Sequence, residues 1–284
     1  MFQYFKLAKK LFRSVTKKIG LLLFHRSDLL LLKEMRSEVR ALFPIRQNLK
    51  NIGGFPQYYN GKNILGYSGM SFMEKDGVNV GMSEGKITSG QFSLPIVQLK
   101  TDLEVNFKNI FDKYRPQYVV DFGTNCGGSA VFFYELMQKY GQPNVLTVDI
   151  TDKAYNEFSD FHKDYKTSEK IQTILNKSSL DCVEEVRKFL AERKPGERAL
   201  LSYDDDHTYE HTYKELVSYA PLLQSGDVIL MQDTWNQDLF THETSPMLAV
   251  YRFLKENPEF EQDIELNGQM VLPCNFVYGV IYKK

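Results

Sequence analysis

The sequence predicts an α/β fold built on a mostly parallel sheet, and three observations carry that expectation. From Gln117 onward, apolar runs of strand length alternate with helical stretches, the order that gives a parallel sheet with right-handed crossovers. Runs 118–121, 145–149, 200–204 and 228–233 each end on an aspartate: Asp121, Asp149, Asp204 and Asp233. Buried parallel strands read as continuous apolar runs, and open α/β sheets bind ligands beyond the carboxyl ends of their strands. Finally, the last two apolar runs, 269–273 and 276–282, stand too close together for a parallel crossover and should pair antiparallel.

Composition sets the outer bounds. The 284 residues, 43% hydrophobic and 13% aromatic, suffice for the core of one large domain or two small ones. Lys+Arg 35 against Asp+Glu 36 leaves a formal charge of −1, so no nucleic-acid partner is expected. Cys126, Cys182 and Cys274 cannot all pair within one chain and lack metal-ligand spacing, which fits a reducing cytoplasm.

Taken in order, residues 1–48 read as a basic helical arm. Phe5, Ala8, Phe12, Val15, Ile19 and Leu22 form one apolar stripe, and Lys6, Lys9, Lys10, Arg13, Lys17, Lys18 and Arg26 all precede the first acid, Asp28. The longest apolar run, 19–24, is far short of the ~20 residues that span a bilayer. Such a helix can lie on the inner face of an anionic membrane; packing on its own domain or on a second subunit in a homo-oligomer is the competing expectation. A second amphipathic helix should start at Ser27 or Asp28 and stop before Pro44. Residues 49–115 form a lid or connector, rich in Gly, Tyr, Asn and Ser to about Gly90, with a helix over 102–114. Tyr58, Tyr59 and Tyr67 in it are candidates to stack on a sugar ring.

The main domain is expected over 116–284. Strand 118–122 meets a Gly loop and helix 129–140; strand 145–150 precedes a polar helical stretch to Lys166; strand 171–175 is followed by helix 180–192. Strand 199–203, helix 209–219, strand 228–231 and helix 246–256 continue the alternation before the antiparallel close. A parallel sheet closed in this way is, by fold analogy, the Rossmann-like arrangement of class I methyltransferases.

The loop 121–129 carries the first chemistry. Its glycines let backbone approach a ligand closely, and the helix that follows offers unpaired N–H groups. Asp121, Gly123, Thr124, Asn125, Gly127 and Ser129 are therefore candidate cofactor contacts, although a tight structural turn would look similar. The glycine spacing is G-x-x-x-G-G, not the dinucleotide pattern G-x-G-x-x-G. Asp149 ends the next strand about 20 residues on, where an acid can accept ribose hydroxyls. A ribose without a phosphate cradle points to S-adenosylmethionine.

At this point the chain resembles the cephalosporin hydroxylase family, S-adenosylmethionine-dependent O-methyltransferases of antibiotics and sugars. The pieces that carry it run from residue 118 to 282: Val120-Asp121-Phe122-Gly123-Thr124 with Gly127-Gly128-Ser129, Val148-Asp149-Ile150, and Asp204-Asp205-Asp206-His207 with His211 and Glu215-Leu216. Ser225-Gly226-Asp227, Gln232-Asp233-Thr234, Ala249-Val250, Phe253-Leu254, and Phe260 with Asp263 complete the set. The resemblance implies that Gly123, Asp149 and Ser178 touch the cofactor. Asn176-Lys177-Ser178 stands where the family usually has Gly-Asp-Ser, a departure at the expected adenine contacts. It also implies O-methylation, with a small natural product or a glycan as acceptor.

A neutral hydroxyl is a poor nucleophile and must lose its proton, which a divalent ion and a neighbouring base both promote. Asp204 and Asp233 end successive strands and can face one another, a geometry that suits Mg²⁺. By resemblance to the wider metal-dependent O-methyltransferases, they would hold the ion. Gln232 occupies a place where relatives often have an acid, and its amide oxygen could bind with less charge. The alternative is a metal-free carboxylate pair. His207 stands where related enzymes carry a lysine or histidine base, with Asp204 beside it in the catalytic set. Asp205 and Asp206 would favour the imidazolium, and a bound cation would oppose them. A helix-capping or merely exposed His207 is the bland reading, as it is for His162 and His242 in polar loops. His207-Thr208-Tyr209-Glu210-His211 also fits the zinc-peptidase pattern H-x-x-E-H. Trp235 is a candidate for the acceptor pocket or for the core. Against the enzyme stands a binding or scaffold protein that kept the fold and lost activity.

Overall fold

The computed structural model describes residues 86–89, 92–96, 98, 102–234, 246–270, 276 and 279–284. These belong to the second of two units into which the chain divides, Gln47–Lys284. The arm 1–48, most of the segment expected as a lid, Trp235 and His242 lie outside the described residues.

The strands are β1 (Lys86–Ser89), β2 (Phe92–Pro95), β3 (Tyr118–Phe122), β4 (Asn144–Asp149), β5 (Ile171–Leu175), β6 (Ala199–Tyr203), β7 (Val228–Met231), β8 (Phe260–Gln262) and β9 (Val280–Lys283). The α-helices are α1 (Phe107–Tyr114), α2 (Gly128–Met137), α3 (Lys153–Glu157), α4 (Ser159–Asp164), α5 (Thr167–Lys170), α6 (Val183–Ala191), α7 (Tyr209–Tyr219), α8 (Pro246–Glu256) and α9 (Ile264–Gly268). A π-helical turn, Asp102–Asn106, leads into α1.

β1 and β2 form a small antiparallel pair. The other seven strands make one sheet in the order β5-β4-β3-β6-β7-β9-β8. Its first five are parallel, and β9 runs antiparallel to both β7 and β8. The predicted sheet and its antiparallel close are both present, with one addition. The described last strand, Val280–Lys283, has Phe260–Gln262 on its outer side, whereas most of the expected partner 269–273 lies outside the described residues. Phe260-Glu261-Gln262 has a single apolar residue and gives no strand signal of its own; its place follows from pairing at the sheet edge.

The central strands are apolar because both faces are covered: β3, β6 and β7 are buried along their whole length. On one side, Phe107 and Phe111 of α1 meet Phe133 of α2 at ring distances of 5.3 and 5.7 Å, and Phe276 closes on Phe107 at 4.9 Å. Elsewhere Phe122 stacks on Tyr203 and touches Tyr219 of α7. Each such side chain, fully buried, contributes roughly 1.5–3 kcal/mol. The chain runs from β3 outward to β5, then returns to place β6 on the other side of β3. The switch point therefore lies between β3 and β6, and Asp149, Asp204 and Asp233 all gather at this carboxyl edge.

Candidate active site

The glycine loop is built by backbone that has no room for side chains. Gly123 has φ +100°, and a Cβ there would sit 2.2 Å from the carbonyl oxygen of Asp204. The loop leaving β3 thus lies against the loop leaving β6. Below it, Asp121 is fully buried and accepts hydrogen bonds from Ser129 Oγ at 2.7 Å and Thr147 Oγ1 at 3.1 Å. Burial, only partly offset by those bonds, raises the Asp121 carboxyl to about 7. Thr124 Oγ1 lies 2.7 Å from Thr147 Oγ1, and Thr147's hydrogen is engaged by Asp121, so Thr124 donates. Asp121, Thr124 and Ser129, expected as cofactor contacts, are thus engaged with one another and with Thr147 beneath the loop.

The exposed part of the loop turns to Asp149. Asn125 is left-handed at φ +46°, and its N–H donates to Asp149 Oδ2 at 2.8 Å; Thr151 N–H donates to Oδ1 at 3.0 Å. Lys177 N–H donates to the Asp149 carbonyl at 3.1 Å, which brings Ser178 and its short helical turn beside the same strand end.

Gly127, at φ +90°, begins α2, and a Cβ there would meet His162 Cε1 at 2.8 Å. His162 is not in a polar loop: it is buried in α4 with its ring stacked on Tyr155 at 3.8 Å. Its Nε2 lies 3.0 Å from the Cys126 carbonyl and its Nδ1 3.0 Å from Thr167 Oγ1. A carbonyl only accepts, so Nε2 carries the hydrogen and Nδ1 accepts from Thr167. Burial lowers the imidazole pKa and so favours the neutral ring. No motif marked His162, because its contacts to 126 and 155 depend on how α3 and α4 fold back over the loop.

The acids form a rim beyond β6 and β7. Ligating atoms of Asp204, His207 and Asp233 all lie within 4.8 Å of one another. His207 Nε2 is 2.8 Å from Asp233 Oδ2. Burial disfavours the His207 imidazolium, but the bond to Asp233 and the charges of Asp233, Asp204 and Asp205 outweigh it and raise the ring to about 9. Asp204 is pushed well above the usual carboxylate range, first by burial and then by the negative charge of Asp233. Its Oδ2 accepts from Gln98 Nε2 at 2.9 Å. Gln98, in a stretch without a motif, gave no signal in the sequence. Gln232 is wholly buried; its Nε2 donates to Ser202 Oγ at 2.9 Å, and its Oε1 has no hydrogen-bond partner among the described residues.

The H-x-x-E-H pattern does not assemble a zinc-peptidase centre. His207 precedes α7 and turns to Asp233, whereas His211, inside α7, turns to Asp205 and Glu215 at 3.3 and 3.4 Å. Glu210 is exposed. Thr208, the residue between His207 and the helix, is the N-cap and accepts from His211 N–H.

A family model described as rhamnosyl O-methyltransferase/CmcI matches residues 88–277. The rhamnosyl O-methyltransferases of Mycobacterium bovis (strain BCG / Pasteur 1173P2) and Mycobacterium tuberculosis (strain ATCC 25618 / H37Rv) are each 32% identical over 130 residues, 45% of this chain and 50% of theirs. The Mycobacterium leprae protein of that name is 29% identical over 170 residues, 56% of this chain and 68% of its own. The chain thus spans about half the length of the first two relatives. Among solved structures, a CmcI-N160 apo-structure superposes with a TM-score of 0.51 at 18% identity, covering 67% of this chain and 73% of that one. A structure described as cmcI-D160 Mg-SAM gives 0.51 at 16% identity, covering 76% and 84%. At those identities the likeness is one of fold.

Proposed function

Because the chain belongs to the rhamnosyl O-methyltransferase/CmcI family, we propose that it is an S-adenosylmethionine-dependent O-methyltransferase, assisted by a divalent cation. Its acceptor is a hydroxyl of a sugar, on a glycan or a small natural product. The observation that carries this reading is the contact between Gly123 and the Asp204 carbonyl. It supports a reading in which a loop fit for the donor and a rim of two carboxylates and an imidazole serve one site, at the switch point where open α/β sheets bind ligands.

The donor supplies the methyl group, and this chain's residues hold it. A carboxylate has about four lone-pair sites; Asp149 uses two on Asn125 and Thr151, which leaves capacity for the ribose hydroxyls. Gly123 and Gly127 keep the loop low enough for the donor to lie against backbone. Ser178 would serve the adenine end.

Asp204, Asp233 and the Gln232 amide are hard oxygen donors of the kind Mg²⁺ prefers. A Gln232 Oε1 with no hydrogen-bond partner among the described residues and the raised Asp204 carboxyl are what such a set would show without its cation. When bound, the ion would lower the pKa of an acceptor hydroxyl. Gln98 orients Asp204 from the other side. His207 is the base: it must be neutral to take the hydroxyl proton, and Asp233 fixes its ring. Neutralising the carboxylates removes the charges that hold His207 protonated.

The rhamnosyl O-methyltransferase names of the relatives favour a sugar acceptor. If the basic arm of 1–48 lies on a membrane, a lipid-linked glycan is the acceptor it would bring near; among the described residues no helix is long and apolar enough to cross one. The test is calorimetry of the full chain with S-adenosylmethionine, with and without Mg²⁺, followed by transfer of labelled methyl to rhamnosyl acceptors. We expect donor binding and Mg²⁺-dependent transfer. A chain that binds no donor and ignores Mg²⁺ is a binding protein on a methyltransferase scaffold.

A further inference from the structure

A second acid–imidazole cluster lies beside the rim and is not used by the proposed reaction. His211 and Glu215 are one turn apart on the same face of α7, opposite Asp205 and Ser179. Three oxygens surround His211 Nε2: Ser179 Oγ at 3.0 Å, Asp205 Oδ2 at 3.3 Å and Glu215 Oε1 at 3.4 Å. A ring nitrogen carries at most one hydrogen, so at most one of these contacts can be satisfied by it. The Ser179 hydroxyl adds one more donor. Glu215 is completely buried, and among the described residues neither of its carboxylate oxygens has a hydrogen bond of good geometry; Oε1 pairs with His211 Nε2 at a long 3.4 Å. A buried carboxylate held by so long a contact is costly, and a positive centre beside it would offset that cost.

We propose that Asp205, His211 and Glu215, with Ser179 as a fourth oxygen, form a second cation site, for a first-row transition ion of the zinc type. Bonds of about 2.0–2.1 Å in a tetrahedral site set ligand atoms about 3.3 Å apart, which is the spacing of Nε2 from the two carboxylates. Imidazole among carboxylates suits zinc and its neighbours, whereas Mg²⁺ takes oxygen ligands. The rim also holds an imidazole, His207, so ion type alone does not separate the two clusters and variants at each must do so. The other ring nitrogen, Nδ1, faces Asp206 Oδ2 at 3.9 Å, the side on which a ligating histidine commonly has an acid. Ser179 is held in place through its carbonyl, which accepts from the Tyr219 hydroxyl. Asp205 and His211, 21% and 17% exposed, leave one side open to an entering ion.

Protons are the rival occupants. Burial raises Glu215 to about 8, and the bonds to Asp205 and Glu215 raise His211 to about 10, so a protonated pair could also fill the cluster. The experiment uses the chelator-stripped full chain, without donor or acceptor, titrated with Co²⁺ in excess Mg²⁺. The proposal does not rest on methyl transfer, and this readout is independent of it. We expect one equivalent of Co²⁺ with the visible absorption of a low-coordinate site, displaced by Zn²⁺. Glu215→Gln and Asp205→Asn should each weaken it by about tenfold or more, while Asp233→Asn leaves it unchanged. No Co²⁺ bound in the presence of Mg²⁺ overturns the proposal, as does binding that Asp233→Asn abolishes and Asp205→Asn spares. If Glu215→Gln fails to fold by circular dichroism, the half-buried Asp205→Asn decides alone, and unchanged affinity there rejects the site.

Discussion

Asp227 and Asp233 flank the two ends of one strand, β7, and their surroundings are opposite. Asp227, before the strand, is 1% exposed and fully engaged: Arg193 Nη1 donates at 2.5 Å, Ala199 N–H at 2.7 Å and Gln224 N–H at 2.7 Å. Asp233, beyond the strand, is left-handed at φ +48°, partly exposed, and holds the His207 ring. At the amino edge the acid ties β6, β7 and the segment after α6 together. At the carboxyl edge acids crowd one another, Asp204 is driven toward its neutral form, and the buried Gln232 amide oxygen has no hydrogen-bond partner among the described residues. One end of the sheet is finished by the fold; the other is left for something the fold does not supply.

That contrast breaks most visibly through His207. His207→Ala should lower turnover by about 10²–10⁴-fold, the usual worth of a positioned base, while calorimetry finds donor affinity unchanged. Turnover equal to the parent would remove His207 from the chemistry and reduce it to a partner of Asp233. Asp227→Asn tests the other end. It leaves the Arg193 guanidinium, 3% exposed, without its counter-charge, and removing one partner of a buried pair costs about 3–5 kcal/mol. Urea unfolding should show a loss near the lower figure, because Asn keeps one acceptor oxygen, and folded protein should retain its turnover. A stability change too small to resolve would mean that the amino edge is no better finished than the carboxyl edge.

The amino acid sequence displayed the open edge better than the closed one. Strand ends marked by Asp149, Asp204 and Asp233 are local: an apolar run and the residue after it suffice to place them; Asp204 and Asp233 meet in one rim, and Asp149 ends β4 at the same carboxyl edge of the sheet. Asp121 looked the same, yet β3 continues to Phe122, so this acid is buried beneath the loop and braces Ser129 and Thr147. What determines its role is the depth of the strand end, which one chain segment does not encode. The same holds for Gln98, whose contact with Asp204 spans more than a hundred positions, and for His211, whose motif partner in sequence, His207, is not its partner in space. Phe260–Gln262 escaped notice because an edge strand of three residues with one apolar side chain is specified by its neighbour β9.

A smaller effect sharpens the contrast through protonation. His207 is raised from its ordinary 6.5 to about 9, despite burial, by Asp233 and the neighbouring acids. A histidine that binds its proton more tightly when folded stabilises the fold fully below about pH 6.5, and that contribution disappears as pH rises through about 9. Without divalent ions, thermal stability should therefore fall across this window, and the imidazole resonance of His207 should titrate near its upper end. Saturating Mg²⁺ should move that titration down and remove the share of the fall that His207 contributes, because the ion takes over the carboxylates. Asp233→Asn should lower it with no metal present. A His207 titration that ignores both changes would separate the ring from the acids of the rim.

The smallest expected effect concerns the floor of the donor loop, where the open edge is propped by the closed interior. His162 Nε2 donates to the Cys126 carbonyl, one residue before the left-handed Gly127, and its ring lies flat on Tyr155. His162→Ala removes that donor and leaves the carbonyl buried; a lost internal hydrogen bond is worth about 0.5–1.5 kcal/mol. If the bond holds the loop in its donor-binding form, calorimetry should show S-adenosylmethionine bound roughly two- to twelve-fold more weakly, with the rate at saturating donor preserved. His162→Gln, which restores an N–H in a neutral side chain, should recover part of the affinity. Burial lowers the His162 pKa from its ordinary 6.5, so His162→Ala should not change the shape of the pH profile of binding above neutrality. Unaltered donor affinity in His162→Ala, alongside a lowered melting temperature, would place this histidine with Asp227, among the residues that complete the fold and do nothing for the rim.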